Sequence, residues 1–371
     1  MVKKVIQVTT LHSRNDDRIY QKISKSLAKK YNVILLCADG KGNEIKNSIE
    51  ILDLKILKNH NFLLRILLNF KVIIKCFSLK GDYYHLHDPE LIFAGILLRL
   101  FNYKVIFDSH EHVPDDILDK HYIPKKFRLI ISSVYALLEK FLLKFYSGLI
   151  AATPYIRDHL SKINDNTIDI CNYPILNNPK EKDKEEFQQS NNLNYICYVG
   201  GITKTRGIRE LVQALELTKN KVILNLAGSF SPESFEHELK NLPGWRHVNY
   251  LGYLSKDRVH KLYSESLMGI VTLHPTPAFI YSLPVKMFEY MSYKLPLIAS
   301  NFKLFSDIFK DSKCGLNVDP CNPKEIAQAI DDLIKNPTKR YEMGKNGYQA
   351  IMNKYNWDIE EKKLFSFYKE L

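Results

Sequence analysis

The chain of 371 residues has six cysteines, Cys37, Cys76, Cys171, Cys197, Cys314 and Cys321, and none stands in a CxxC pair or at zinc-finger spacing. That scatter excludes a disulfide scaffold and reads as free thiols in a reducing compartment. No run reaches the roughly 18 uncharged apolar residues that a membrane-crossing helix requires. The N-terminus, two lysines and a short apolar stretch, lacks the length and small-residue site of a secretory leader, so a cytoplasmic location is expected. GxxxxGK[ST] is missing, which excludes a P-loop. Stacking aromatics on a basic groove are missing too, so no nucleic-acid partner is expected. Acids are scarce: 41 Asp and Glu face 53 Lys and Arg, a net charge of +12. Residues 1–178 hold 26 of those bases against 18 acids, two thirds of the excess. An anionic partner follows, and charge alone does not choose between a phosphorylated ligand and an acidic membrane surface.

The apolar fraction of 45% and charged fraction of 25% belong to a globular protein, and the length suits two domains. In the first half, apolar strand-like runs at 5–9, 33–37, 83–86 and 104–108 alternate with helix-like stretches at 19–30 and 91–101. The second half repeats the alternation, with strands at 195–199, 221–227, 248–251, 269–273 and 297–299 and helices at 207–217, 256–264, 284–293, 323–335 and 338–355. Such βαβ series with apolar strands predict parallel sheets covered on both faces. Between the halves, residues 176–192 are polar, charged and almost without apolar side chains. The expected organisation is a first α/β domain over 1–178, a linker at 179–192, a second α/β domain over 193–355 and a last helix at 356–371.

The segment TPAFIYSLPVKMFEYMSYKLPLIAS, residues 276–300, carries the densest chemical signal. Ser282 or Leu283 precedes a helix expected to start near Pro284, where the missing N–H costs nothing. The positive end of such a helix suits a phosphate. Lys286 and Glu289, three apart, share a face: the cation suits a diphosphate and the carboxylate suits two ribose hydroxyls. The plain alternative is a surface i,i+3 ion pair. Upstream, YVGGITKTRGIRELVQAL ends a strand at Gly200–Gly201, puts Lys204 and Arg206 in a short loop, and starts a helix after Gly207. Glycines there admit a ligand close to the backbone and the cations can neutralise a pyrophosphate. A simple βα turn with solvated cations is the competing reading.

Together these segments resemble the donor half of retaining GT-B glycosyltransferases, family 4, the group with many bacterial polysaccharide enzymes. The resemblance runs through 198–214, 226–228, 250–262, 283–300, 315–330 and 354–368. It implies two Rossmann-like domains facing across a cleft, with the last helix crossing back to the first domain. Arg206 falls where the family holds the donor pyrophosphate, and Glu289 matches the second acid of its paired-acid motif, the ribose ligand. Two positions depart from the pattern. Tyr281 stands where the first acid belongs, and Gly201 where an arginine is usual, with Lys204 as a substitute source of charge.

In the first half, YYHLHDPEL and VIFDSHEHVPDD end strands in histidines, and on an extended chain His85 and His87 share one face. With Asp88, His110, Glu111 and His112 they raise a metal site as one reading and strand-end capping as another. The resemblance favours a third, in which His110 contacts the donor sugar near the reacting carbon and Glu111 orients it or binds acceptor. The loop of residues 12–18 then offers Asn15, Asp17 and Arg18 to the acceptor, with His87 beside them. Two basic amphipathic stretches, residues 61–80 and 123–149, suit either an anionic bilayer surface or a core with snorkelling lysines.

The resemblance thus implies transfer, with retention, of a hexose or N-acetylhexosamine from a UDP- or GDP-sugar. It further implies no bound metal or other cofactor. The acceptor would be a polyprenyl-diphosphate-linked glycan of O-antigen or capsule assembly, met at the cytoplasmic face of the inner membrane. A nucleotide-sugar epimerase on the same fold and a catalytically silent nucleotide- or glycan-binding partner stand as alternatives.

Overall fold

The computed structural model describes residues 2–55, 62–120, 123–176 and 194–371, without the side chains of 62–67. It forms two compact units, Met1–Asn172 with Trp357–Leu371, and Tyr173–Asn356. The run read as a linker, 179–192, lies outside the described residues.

In the first unit the strands are β1 (Lys4–Val8), β2 (Asn32–Cys37), β3 (Glu44–Lys46), β4 (Ile49–Asp53), β5 (Tyr83–Leu86), β6 (Lys104–Ser109), β7 (Gly148–Ala151) and β8 (Thr167–Asp169). Their order is β3-β4-β2-β1-β5-β6-β7-β8. Every pairing is parallel except β3 with β4, which closes one edge as a hairpin. The central strands β1, β5 and β7 are buried almost throughout, because helices cover both faces of the sheet. One face packs under helices Phe62–Leu79 and Ile92–Leu100. The other packs under the stretch 17–27 and the last helix, Trp357–Glu370. That helix is tied down by Trp357 Nε1 donating to Ser26 Oγ (2.9 Å) and by Cys171 N donating to Glu360 Oε2 (2.7 Å).

The second unit holds β9 (Asn194–Val199), β10 (Val222–Ala227), β11 (Val248–Gly252), β12 (Gly269–Val271), β13 (Leu297–Ser300) and β14 (Gly315–Val318). All are parallel, in the order β11-β10-β9-β12-β13-β14. Both sheets are Rossmann-like, as the alternating pattern predicts. Each sheet reverses its strand order beside a central strand, at β1/β5 and at β9/β12, and crevices for ligands open at the carboxyl ends of such switch points. At β9/β12 the strands touch in register only at Cys197 and Gly269 before diverging. Beyond that point the Tyr290 hydroxyl accepts from Val199 N (3.1 Å), filling the gap below the crevice.

Three local features differ from expectation. The helix expected over 19–30 is a π-helical stretch, Asp17–Ser24, followed by one α turn, Lys25–Leu27. Asp16 caps it by accepting from the N–H groups of Arg18 and Ile19, and the wide winding turns both Arg18 and Lys22 inward. Strands β3, β4, β7, β8 and β14 were not expected; each is short, and β3 is exposed at every residue. Pro284 sits one residue before its helix, Val285–Ser292, in extended conformation.

Gly207 joins the turn Lys204–Arg206 to helix Ile208–Leu217 at φ +68°, and a Cβ there would overlap the Thr272 carbonyl oxygen. Gly42, at φ +77°, has nothing within 4 Å of such a Cβ. Gly42→Ala should therefore cost only the left-handed penalty, about 1–2 kcal/mol. Gly207→Ala should cost clearly more, with urea-unfolding midpoints of the two variants as the measurement.

Candidate functional site

In the second unit the site grows from the ends of β9 and β10. Gly200 (φ +135°) and Gly228 (φ +143°) follow these strands, and a Cβ on Gly228 would overlap the Gly200 carbonyl oxygen. A Cβ on Gly200 would lie 2.8 Å from Lys286 Nζ, so only glycine leaves the lysine its place. Lys286 is buried on helix Val285–Ser292, with Nζ 3.8 Å from the centre of the Tyr198 ring. That nitrogen meets no hydrogen-bond partner among the described residues. Burial, and next the positive charge of Arg206, push its pKa well below the usual lysine range. The ring face offers some compensation, and the hydrogen-bonding capacity of the amine stays open to an anion. Arg206 stands close by, its guanidinium 5.9 Å from the Phe279 ring centre and against Gly201. The helix starting at Val285 has no side-chain cap, which leaves its positive end available.

Glu289 lies one turn along from Lys286, half-buried, and its Oε2 accepts from the Tyr263 hydroxyl (3.0 Å). Burial, reinforced by the Glu289 charge, keeps that tyrosine protonated as a donor. The surface ion-pair reading fails, since Lys286 is buried and its Nζ bonds to nothing here. Tyr281 is exposed, and Ser282 Oγ turns back to the Phe279 carbonyl (2.9 Å). Lys204 is a correction. Its Nζ lies 2.6 Å from Glu238 Oε2 and it is exposed, so it does not supply charge at Gly201. Lys286 stands nearer that turn instead. The spacing of Glu238, far off in sequence, gave no warning of the competing pair.

In the first unit, polar side chains gather where β1, β5 and β6 end. Asp108, fully buried, receives Arg18 through both oxygens, at 2.9 Å from Nε and 2.6 Å from Nη2. Arg18 Nη1 also donates to the Ile170 carbonyl (2.6 Å). Burial opposes ionisation of Asp108, yet Arg18 and His110 override it and hold the carboxyl well below the usual range. His85 and His87 stack at 4.5 Å, and burial lowers the pKa of both, so the two rings are neutral. His87 Nε2 lies 2.6 Å from Gln7 Oε1, and its Nδ1 lies 3.2 Å from both His110 Nε2 and Asp108 Oδ2. His110, half-buried after β6, also lies 3.3 Å from Asp108 Oδ2. Its orientation is set from behind by a carboxylate and a neutral imidazole.

Beside it Asp88 organises the loop after β1, its Oδ2 accepting from Thr9 Oγ1 (3.0 Å), Thr10 Oγ1 (2.9 Å), Leu11 N (3.2 Å) and Thr10 N. His12 bridges Asp16 (3.4 Å) and Asp88 (3.5 Å) and lies against the His110 ring at 4.9 Å. Its hydrogen bond to Asp16 raises its pKa above the ordinary histidine value.

The structure moves several expected acceptor ligands. Arg18 and His87 are buried and committed to Asp108 and Gln7, which closes them to an acceptor. Asp17 pairs with Lys22 (2.8 Å), and exposed Asn15 accepts from Lys46 Nζ (3.0 Å). Glu111 is exposed beside His110, and its carbonyl accepts from Ser109 Oγ (2.9 Å). The metal reading divides. His85, His87 and Asp108 bring ligand atoms within 4.8 Å of one another. Arg18 already holds both Asp108 oxygens, however, so a dication would have to displace a cation. His112 points elsewhere, 2.6 Å from Asp115 and against the rings of Tyr155 and His159. Asp108, His12 and Asp16 escaped the sequence reading. An acid inside the apolar run VIF of β6 was the available signal for Asp108.

Two family models match this chain: "Glycosyl transferases group 1" over residues 179–350 and "Glycosyltransferase Family 4" over 17–170. It is 28% identical over 177 residues to an uncharacterized glycosyltransferase, MJ1607, of Methanocaldococcus jannaschii, covering 47% of this chain and 44% of that one. It is 25% identical over 209 residues to the capsular polysaccharide biosynthesis glycosyltransferase CapM of Staphylococcus aureus, covering 55% and 53%. The chain thus spans about half the length of the curated relatives it matches. Among solved structures, HepE of Anabaena in complex with UDP-glucose shares the fold, with TM-score 0.74, 16% identity and 99% and 100% of the two chains covered.

Removing one partner of a buried pair strands the other. Arg18→Met should cost about 3–5 kcal/mol in urea unfolding, and Arg18→Met with Asp108→Leu should recover most of it. The imidazole of His12 should titrate above 6.5 by NMR, and Asp16→Asn should bring it down. The fold is GT-B, and the matches to both units, in chain order, make the chain similar to the group 1 and family 4 glycosyltransferases.

Proposed function

We propose that this protein transfers a hexose or N-acetylhexosamine, with retention, from a UDP- or GDP-sugar to a polyprenyl-diphosphate-linked glycan of surface polysaccharide assembly. The observation that carries the reading is Lys286, a buried ammonium with no acceptor, beside Arg206 and an uncapped helix start. In transfer, the bond between the anomeric carbon and the diphosphate oxygen breaks and charge collects on the diphosphate. Fixed donors aimed at that charge need no reorganisation as it develops. Lys286, Arg206 and the helix end supply the positive charge, so no metal or other cofactor is required. Glu289, steadied by Tyr263, takes the ribose hydroxyls, and Gly200, Gly201 and Ser282 line the approach. His110, aimed by Asp108 and His87, works at the reacting sugar, with Glu111 beside it. The glycan class is supported by likeness to a capsular enzyme, and the donor class by a structural relative holding UDP-glucose.

The test incubates the protein with UDP- and GDP-sugars, with and without lipid-linked acceptor. Transfer predicts acceptor-dependent release of nucleoside diphosphate. Acceptor-independent isomerisation would instead indicate an epimerase, and saturable binding without turnover a silent partner. Lys286→Met removes a buried amine whose polar end has no hydrogen-bond acceptor among the described residues. The variant should unfold at the same or a higher urea concentration than the parent, yet lose nucleoside diphosphate affinity by about tenfold or more. Glu289→Ala should weaken nucleoside diphosphate binding as well; unchanged affinity would remove the ribose assignment. Because the Lys286 pKa is depressed before binding and an anion raises it, binding should take up protons. Calorimetry in buffers of different ionisation enthalpy reads that uptake, and none would contradict the assignment.

A further inference from the structure

On the face of the first sheet that lies under the last helix, the side chains change character toward the carboxyl ends of three neighbouring strands. Residues two apart share a face, so Val5 is followed there by Gln7 in β1, Tyr83 by His85 in β5, and Ile106 by Asp108 in β6. The strand pairing sets Gln7 directly beside His85. Gln7, His85 and Asp108 are fully buried, and His87, just past the end of β5, is nearly so. The last helix covers this face with apolar Trp357, Leu364 and Phe367, and brings Tyr368 onto His85.

The contacts form one chain. The Tyr368 hydroxyl lies 2.8 Å from His85 Nδ1, which in turn lies 3.3 Å from Gln7 Nε2. The other end of that amide, Oε1, meets His87 Nε2, and His87 Nδ1 faces both His110 Nε2 and Asp108 Oδ2. A primary amide has one donating and one accepting end, and a neutral imidazole has one nitrogen of each kind. With both buried rings neutral, the proton positions are coupled in two matched patterns. Where the Gln7 carbonyl meets His87, Nε2 carries that ring's proton and Nδ1 accepts from His110. Where the amide is turned, its NH2 group meets His87, Nδ1 carries the proton, and His87 competes with His110 for Asp108. Tyr368 bears on the choice from the far end, because its hydroxyl, kept protonated by burial, shares His85 Nδ1 with Gln7. Packing alone would be served as well by an aliphatic side chain, as at Val5 on the same face. What the amide adds is direction. We infer that Gln7, His85 and Tyr368 are positioning residues for His110, setting its ring through His87. The inference rests on the reading in which His110 works at the reacting sugar.

The full chain, with heavy nitrogen in its histidines, is compared with Gln7→Leu and Tyr368→Phe. NMR of the ring nitrogens shows which nitrogen of His87 and of His110 carries the proton. Both variants should shift the His110 signals, although neither side chain touches that ring, and Gln7→Leu should also redistribute the His87 proton. In the transfer assay each should lower kcat by about tenfold, while the donor KM and UDP affinity stay within about twofold of the parent. Tyr368→Phe removes a single oxygen, so it decides the matter if Gln7→Leu does not fold. A lower urea midpoint with parent-like His110 signals marks a merely structural role and overturns the inference. Parent-level kcat in a variant whose signals have shifted overturns it too. A parent without turnover removes the transfer reading instead, and the ring-nitrogen signals then decide on the positioning chain by themselves.

Discussion

Burying a charge in a protein costs several kcal/mol unless a partner answers it, and each unit of this molecule is arranged around one such charge. In the first unit it is Asp108, at the end of an apolar strand and met on both oxygens by Arg18. The cation of that pair comes from the π-helical stretch of residues 17–24, where Arg18 is buried. The pair also connects β6 to the chain segment at Ile170, and it gives His87 and His110 a fixed negative point to face. Burial keeps His85 and His87 neutral, and Asp108 orients the rings that face it.

The second unit poses the same problem and leaves it unsolved. Lys286 is buried as deeply as many core residues, yet only the face of Tyr198 approaches its ammonium. Everything around it preserves that state: glycine at 200 leaves room, Arg206 adds like charge, and Glu289 is engaged by Tyr263. The contrast between the answered Asp108 and the unanswered Lys286 separates scaffold from binding group more clearly than burial does.

Much of this was legible in the sequence. Apolar runs of four to six residues alternating with amphipathic stretches can bury both sheet faces only as a parallel α/β arrangement, and β1, β2, β5, β6, β9 and β10 follow from that pattern. The pairing of Lys286 with Glu289 on one helix, after a proline, was legible because helical spacing is local. Strands β3 (EIK), β8 (TID) and β14 (GLNV) were not, since each breaks its few apolar residues with polar ones and offers no continuous apolar run. Nor was the fate of Lys204 and Arg18. Their partners, Glu238 and Asp108, are distant in sequence, and a cation's role depends on whether an acid reaches it first.

The sequence by itself therefore determined the α/β class and the glycine turn at 200–201, and it carried the family resemblance and the pairing of Lys286 with Glu289 on one helix, because these rest on local spacing and residue chemistry. Tertiary structure alone decided which charges are spent. It paired Lys204 and Arg18, left Lys286 without an acceptor and stacked His85 on His87. The reason is physical: a periodic pattern tells which face of an element is apolar, but only packing tells what that face and its charges will meet.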